Sequence, residues 1–310
     1  MITQEHVTRA RTATQKDSVA SCRSCGGQDL RTRGRIPDAK LFAGMQLSAP
    51  LAGGTLHECA TCGFAFRHPI YPQAKYDKLY REGNSETWEE SDRIDHALVQ
   101  EMVREHLPSG SVLDIGCGGG RLLMPLAPQY ETFGVEINAK AAMLAEKRNV
   151  RVIASEVGEI QSLNRAFDAV VCCDVIEHLP DPLGFMRALL SVTAPKGVAV
   201  ISTANSNAWS WRLAGSRFWY CYLPEHISFV SPEWFEHHAL SLGVEVLDVR
   251  QYVYSPRFSI PSKAVRLALM GLFRLSPWLY YKLLPQSKQR NIPVGRGITR
   301  DHFVIALRKL

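Results

Sequence analysis

Short apolar runs separated by amphipathic stretches fill the chain from residue 111 to residue 203. Ser111-Val112-Leu113-Asp114-Ile115 reads as a strand, followed by the turn Gly116-Cys117-Gly118-Gly119-Gly120 and a helical stretch to about Pro128. Residues 132–137 predict a second strand, 150–155 a third, 167–174 a fourth and 197–203 a fifth. Residues 139–148, rich in Ala, Leu, Glu and Lys, predict a helix. Residues 181–194 predict an amphipathic helix, with Asp181 as N-cap and Pro182 at the first helical position. Ser231-Pro232 opens another helix in the same way, and residues 244–254 and 302–307 are the last strand candidates. Upstream, residues 73–107 read as helical, with apolar positions at helical spacing over 93–103, until Pro108-Ser109-Gly110 stops the pattern. Strand–helix alternation implies an α/β fold: a doubly wound, mainly parallel sheet with helices on both faces and an antiparallel edge strand.

The first 70 residues break this rhythm. Residues 1–17 read as a polar tail without the apolar stretch of an export signal. Residues 18–70 read as a small module carrying Cys22-x2-Cys25 and Cys59-x2-Cys62, each pair followed by glycine. Four thiolates suit a closed, structural tetrahedral zinc site, and a module of this size gains most of its folding energy from such an ion. The 33-residue gap between the pairs is longer than in a simple ribbon and predicts an inserted hairpin. An iron–sulfur site and vestigial cysteines are the alternatives. His57 and His68 are substitute ligands or, more simply, packing residues.

The remaining organisation is a core over 71–255, a basic apolar helical insertion over 256–300 and a final core strand over 301–310. A hydrophobic share of 46% excludes global disorder, and no apolar run approaches the roughly 20 residues of a membrane span. The net charge of +6 hides an asymmetry. From Arg257 to Leu310 eleven Lys or Arg stand against Asp301 alone, so an anionic partner is expected at that end. Paired cysteines without an export signal fit a reducing, cytoplasmic setting.

Glycines after a strand let the backbone turn tightly beside a ligand, but a Gly-x-Gly turn alone is weak evidence. Asp114 sharpens it, because a carboxylate there repels phosphate and accepts an ammonium group or hydroxyl. Glu136 closes the second strand, 22 residues on, where a carboxylate can hold both ribose hydroxyls. Taken singly, Asp114 could cap a helix and Glu136 could be a solvated edge charge. A dinucleotide site would lack the acid at position 114. Together, in register with five strands, Asp114 to Gly120 and Glu136 resemble the class I S-adenosylmethionine-dependent methyltransferases, over about residues 90–250. The segment from Phe167 to Pro182 and Ala194-Pro195-Lys196-Gly197 continue the likeness. The resemblance implies a Rossmann-like sheet and S-adenosylmethionine as cofactor. It implies that Asp114, Gly116, Cys117, Gly118 and Gly120 hold the methionine end, Glu136 and Ile137 the ribose, Glu156 the adenine amino group, and that Asp174 lines the pocket. The cysteine knuckle before a Tyr-rich helix is similar to a bacterial subgroup that acts on sugars, polysaccharides or related cell-surface metabolites.

An alcohol acceptor needs a base near neutral pKa. His178, after the fourth strand, and His226 are the candidates; neither is the third option, and His226 is narrowly preferred. His237 and His238 read as surface residues. The aromatic stretch 206–223, with Arg212 and Arg217, reads either as a substrate lid or as a packed helical insertion. Residues 262–285 suit an arm over the active site or a dimer contact, the preferred reading, or else an interfacial helix at the inner face of a membrane. The function expected is methyl transfer to a sugar hydroxyl of a nucleotide- or lipid-linked glycan precursor. An RNA methyltransferase using the cysteine module and basic segment is the alternative, disfavoured because the basic residues interleave with apolar ones. A non-catalytic cofactor-binding scaffold is the third reading. The acceptor atom and the oligomeric state are open.

Overall fold

The computed structural model describes residues 19–42, 45–83, 93–254, 260–284 and 297–310. The expected tail and parts of the expected helical stretches (84–92, and 285–296 of the basic insertion) lie outside these residues. The chain starts with β1 (Leu30–Arg35), the hairpin β2 (Ala39–Phe42) and β3 (Met45–Leu51), then β4 (Thr55–Cys59) and β5 (Ala65–His68). The β2–β3 hairpin lies between the two cysteine pairs. Two helices follow, α1 (Gln73–Arg81) and α2 (Ile94–His106).

The central unit runs β6 (Gly110–Ile115), β7 (Tyr130–Val135), α3 (Ala139–Lys147), β8 (Arg151–Ala154), β9 (Phe167–Cys173), α4 (Pro182–Ser191) and β10 (Thr193–Ala204). It continues with α5 (Trp209–Ala214), β11 (Ser228–Phe229), α6 (Pro232–Leu242), β12 (Val244–Tyr252), α7 (Ile260–Leu275), α8 (Pro277–Leu283) and β13 (His302–Lys309). The seven-stranded sheet has the order β12-β13-β10-β9-β6-β7-β8. The pairs from β10 to β8 are parallel, and β13 runs antiparallel to both its neighbours at the other end of the sheet. Strand order reverses between β6 and β9, so their C-terminal ends diverge into a crevice.

Alternation along the strands sends side chains into two cores. Leu113, Ile115, Val170, Cys172, Ala199 and Ile201 meet α4 and α6 on one face. Val112, Ala169, Val171, Val198 and Val200 meet Val99, Met102 and Val103 of α2 on the other. Both faces are covered, so the strands read as apolar runs. The expected caps are present: Asp181 accepts from Gly184 N, and Ser231 from Trp234 N.

Three expectations change. The stretch after Gly120 is a series of turns, because Pro125 and Pro128 lack the N–H groups that a continuous helix would use. The aromatic stretch is mainly core: Trp211 stacks on Phe218 at 4.7 Å, and Trp211, Phe218, Trp219 and Tyr220 are buried while Trp209 is exposed. His238 is buried, 3.2 Å from Ser24 Oγ, which also accepts from Trp234 Nε1 at 2.9 Å.

The N-terminal strands β1, β4 and β5 form an antiparallel sheet that β11 completes. Cys22, Cys59, Cys62, Phe64 and Phe66 share one core with Trp234 and Phe235. The cysteine region is therefore a layer built onto α6 and the 219–229 loop.

Candidate active site

A cavity of about 740 Å³ lies over the C-terminal ends of β6, β7 and β9. Gly116 and Gly118 form its floor with φ of +80° and +51°, values that disfavour any side chain. A Cβ on Gly116 would sit 2.5 Å from Val175 Cγ2, whereas one on Gly118 would meet nothing within 4 Å. Gly120 does not line the cavity, contrary to expectation. A Cβ there would come within 3.1 Å of Ala145 Cα, so its bareness lets α3 pack against the turn.

Asp114 ends β6, 2% exposed. Burial, with Glu136 nearby and Arg93 opposing, pushes its carboxyl up to about 7. Its Oδ1 has no hydrogen-bond partner among the described residues, and neither has Oδ1 of Asp174. Glu136 accepts from Gly118 N at 2.9 Å and from Asn138 N at 2.7 Å, and burial raises its pKa too. Ile137 and Cys117 also line the cavity, and burial raises the Cys117 thiol well above its ordinary value. Glu156 stands at the rim, paired with Arg81 of α1. A buried and a half-buried carboxylate, each with one oxygen lacking a partner among the described residues, beside a bare glycine turn fit a cationic nucleoside ligand: the ammonium end at Asp114 and Asp174, the ribose at Glu136.

Sequence reasoning missed Arg93. Its guanidinium pairs with both Asp95 and Asp174, inside the cavity. Asp174, at φ +52°, is raised to about 6 by burial, against the pull of Arg93. A signal was available, because Arg93 occupies the N-cap of α2, where Ser, Thr, Asp or Asn are favoured.

The two histidine candidates come together in the wall of the same cavity, their ring centroids 4.9 Å apart. His226 Nδ1 lies 3.1 Å from Tyr220 O, and His178 Nδ1 lies 3.1 Å from Glu225 O. A carbonyl only accepts, so the contact of His226 assigns its proton to Nδ1 and leaves Nε2 as a base; Nδ1 of His178 also meets a hydroxyl, which can donate or accept. Burial lowers both pKa values, His226 well below the usual imidazole value, with His178 adding to the effect. Tyr80 of α1 places its hydroxyl 2.7 Å from His178 Nδ1. Tyr220 packs on His226 at 3.9 Å and donates its hydroxyl to the buried Glu177, which also accepts from Thr203 Oγ1. Arg212 and Arg217 stay outside the cavity; they donate to Asn207 and Tyr222.

The N-terminal sheet holds the loop that carries His226. Arg67 Nη2 donates to Cys221 O at 2.7 Å and Leu223 O at 3.0 Å, and Arg67 N donates to Ile227 O. Arg23, set between the paired cysteines, donates to the same Ile227 O at 2.9 Å. Beneath it, ligand atoms of Cys22, Cys25, Cys59 and Cys62 lie within 4.8 Å of one another. The separations Cys22–Cys62 and Cys25–Cys59 are 3.7 and 3.6 Å. A tetrahedron with bonds of about 2.3 Å has edges of about 3.8 Å, so the four sulfurs suit one zinc-sized ion. Amides of Ser24 and Gly27 point at Sγ of Cys22 and Cys25 at 3.4 Å. His57 stacks on Phe66 and belongs to the packing.

The model of a family described as a methyltransferase domain matches residues 87–249. Curated relatives include a ubiquinone biosynthesis O-methyltransferase of Arabidopsis thaliana mitochondria, 31% identical over 159 residues. That match covers 46% of this chain and 49% of the relative. A protein of the same name from Rickettsia akari is 28% identical over 49% of this chain and 65% of its own length. The chain thus spans about half of the first relative and just under two thirds of the second. A third, from Psychrobacter arcticus, is 31% identical over 52% of this chain and 68% of its own length. Among solved structures, an N-methyltransferase of Bradyrhizobium japonicum in complex with S-adenosyl-L-homocysteine aligns with a TM-score of 0.46 and 16% identity. The alignment covers 76% of this chain and 97% of that one.

Proposed function

The chain belongs to the methyltransferase-domain family and is an S-adenosylmethionine-dependent methyltransferase; on that premise we propose that it methylates a hydroxyl oxygen, with His226 as base and His178 beside it. One observation carries the reading: His226, neutral and with its Nε2 left as a base, lines the cavity beside His178. The names of the curated relatives favour oxygen as the acceptor atom. Bound S-adenosylmethionine supplies a methyl group already activated for transfer. The protein orients the acceptor, excludes water and takes its proton.

Gly116, Cys117 and Gly118 bring backbone close to the cofactor. Asp114 and Asp174 would accept from its ammonium group, Glu136 and Ile137 would hold its ribose, and Glu156 would meet its base. Glu177 holds the Tyr220 hydroxyl, Tyr220 supports the His226 ring, and His226 Nε2 takes the acceptor proton as the oxygen becomes nucleophilic.

The acceptor we propose is a sugar hydroxyl of a nucleotide- or lipid-linked glycan precursor. The support for it is the cysteine knuckle, which resembles that of sugar-modifying methyltransferases, and the aromatic residues Trp219 and Tyr220 that border the cavity. A phenolic hydroxyl of a quinone precursor is the second reading, favoured by the relatives' names. Incubation with methyl-labelled cofactor and panels of both acceptor classes decides between them, with the labelled atom located by NMR. Label on a sugar oxygen is expected. Label on a phenol favours the second reading, and label on nitrogen or carbon overturns the hydroxyl assignment.

We propose that the four cysteines hold one structural zinc that anchors Arg23 and so the 219–227 loop. Four protein thiolates leave no position for a reacting ligand. Metal analysis is expected to find one zinc per chain, lost in Cys59→Ser. Full metal retention after replacing both Cys59 and Cys62 overturns the assignment.

A further inference from the structure

Segment 260–284 has an outward face with no partner among the described residues. On α7, Ala264, Val265, Leu267, Ala268 and Leu275 are exposed, Leu275 at 87%. At about 100° per residue they share an arc of roughly 160°. Met270, buried against the core that includes α5, lies on the opposite side. Pro277 starts α8, where Ser276 Oγ caps Leu279 N, and Trp278 and Leu283 are exposed at 69% and 60%. A soluble helix normally turns polar residues to water; this one turns apolar residues outward.

The charges say what covers the face. Lys263 and Arg274 sit along one flank of the arc, Lys282 stands 4.9 Å from the Trp278 ring, and no Asp or Glu occurs between 260 and 284. A second copy would bring the same cations together, and like charges across an interface are costly. Nucleic acid would need cations outward, where this arc is apolar. The preferred sequence reading is an arm over the active site or a dimer contact; no described residue of the segment lines the cavity. No described helix is long and apolar enough to cross a membrane.

We propose that α7 and α8 lie in the interface of an anionic lipid bilayer, with the apolar arc among the acyl chains and the basic flank at the headgroups. An apolar stripe beside a basic edge with an exposed Trp is the pattern that binds such surfaces. The inference stands independently of the acceptor.

Flotation of the full chain with vesicles tests it. The protein should float with phosphatidylglycerol–phosphatidylcholine vesicles, at least about tenfold less with phosphatidylcholine alone, and less at high salt. Leu275→Glu/Trp278→Glu should lower binding about tenfold or more. Changing Lys263, Arg274 and Lys282 to Gln should erase the difference between the two lipids. Calorimetric binding of S-adenosylmethionine checks that each variant is folded. Undiminished flotation of the Glu variant overturns the proposal. So does failure of the parent protein to float, or a dimer in sedimentation that the Glu variant dissolves.

Discussion

Arg67 fixes the turn that leads into His226. The guanidinium, 2% exposed on β5, donates to two carbonyls of the turn, Cys221 O and Leu223 O, and the residue after His226 is bonded to the Arg67 amide. The N-terminal sheet thereby sets the position of a side chain about 160 residues further on. Arg67→Ala removes two charge-assisted bonds and leaves buried carbonyls unsatisfied, a loss of about 1.5–3 kcal/mol. We expect kcat to fall at least about tenfold while cofactor affinity stays near its parent value, because no cofactor-side residue bonds to Arg67. Equal losses of both in steady-state kinetics and calorimetry would show that Arg67 supports the whole fold instead.

His226→Ala should lower kcat by about 10²–10⁴ and leave cofactor binding unchanged. The acid limb of the rate should lie below the ordinary imidazole value of about 6.5, because burial holds His226 and His178 neutral. The unfolded chain binds these protons first, so the same depression makes stability constant above about pH 6.5 and lost progressively below it. Parallel pH–rate and pH–melting profiles check both statements. A rate limb above pH 7 is incompatible with a buried neutral base.

Asp114, raised to about 7, is half protonated at neutral pH in the free protein. A cationic ligand favours its charged form, so cofactor affinity should rise with pH through about 7 and binding should release protons. Calorimetry in buffers of different ionisation enthalpy measures that release. Asp114→Asn should bind more weakly and lose the proton signal, and a parent protein that releases none would refute the contact.

Two glycines of one turn should separate cofactor binding from stability. Gly120→Ala places a methyl 3.0–3.2 Å from Val150 and Ala145, at φ +79°, and should cost about 1–3 kcal/mol. Gly118→Ala meets no described residue within 4 Å and faces the cavity. It should weaken cofactor binding and cost only the strain of φ +51°, about 1 kcal/mol. Thermal melts with cofactor titrations would reverse the assignment if Gly118→Ala proved the less stable variant.

Local chemistry made much of the molecule legible from the chain alone. Apolar runs on a sheet covered on both faces, the Ser231 and Asp181 caps, and the glycine turn with Asp114 and Glu136 depend on residues near one another in sequence. So does the grouping of Cys22 with Cys25 and Cys59 with Cys62. What required the tertiary structure is contact across long separations. Arg93 on Asp174, Tyr80 on His178 and Arg67 on the 221–223 turn join residues whose local pattern says only helix start, helix face or strand. The aromatic stretch and α7 show the same division. Sequence marks both as apolar and basic, but only packing decides that Trp211 and Trp219 face inward while Leu275 and Trp278 face outward. Periodicity specifies that a face exists; which neighbour covers it is set by the sum of contacts in the folded chain, and no local pattern carries that information.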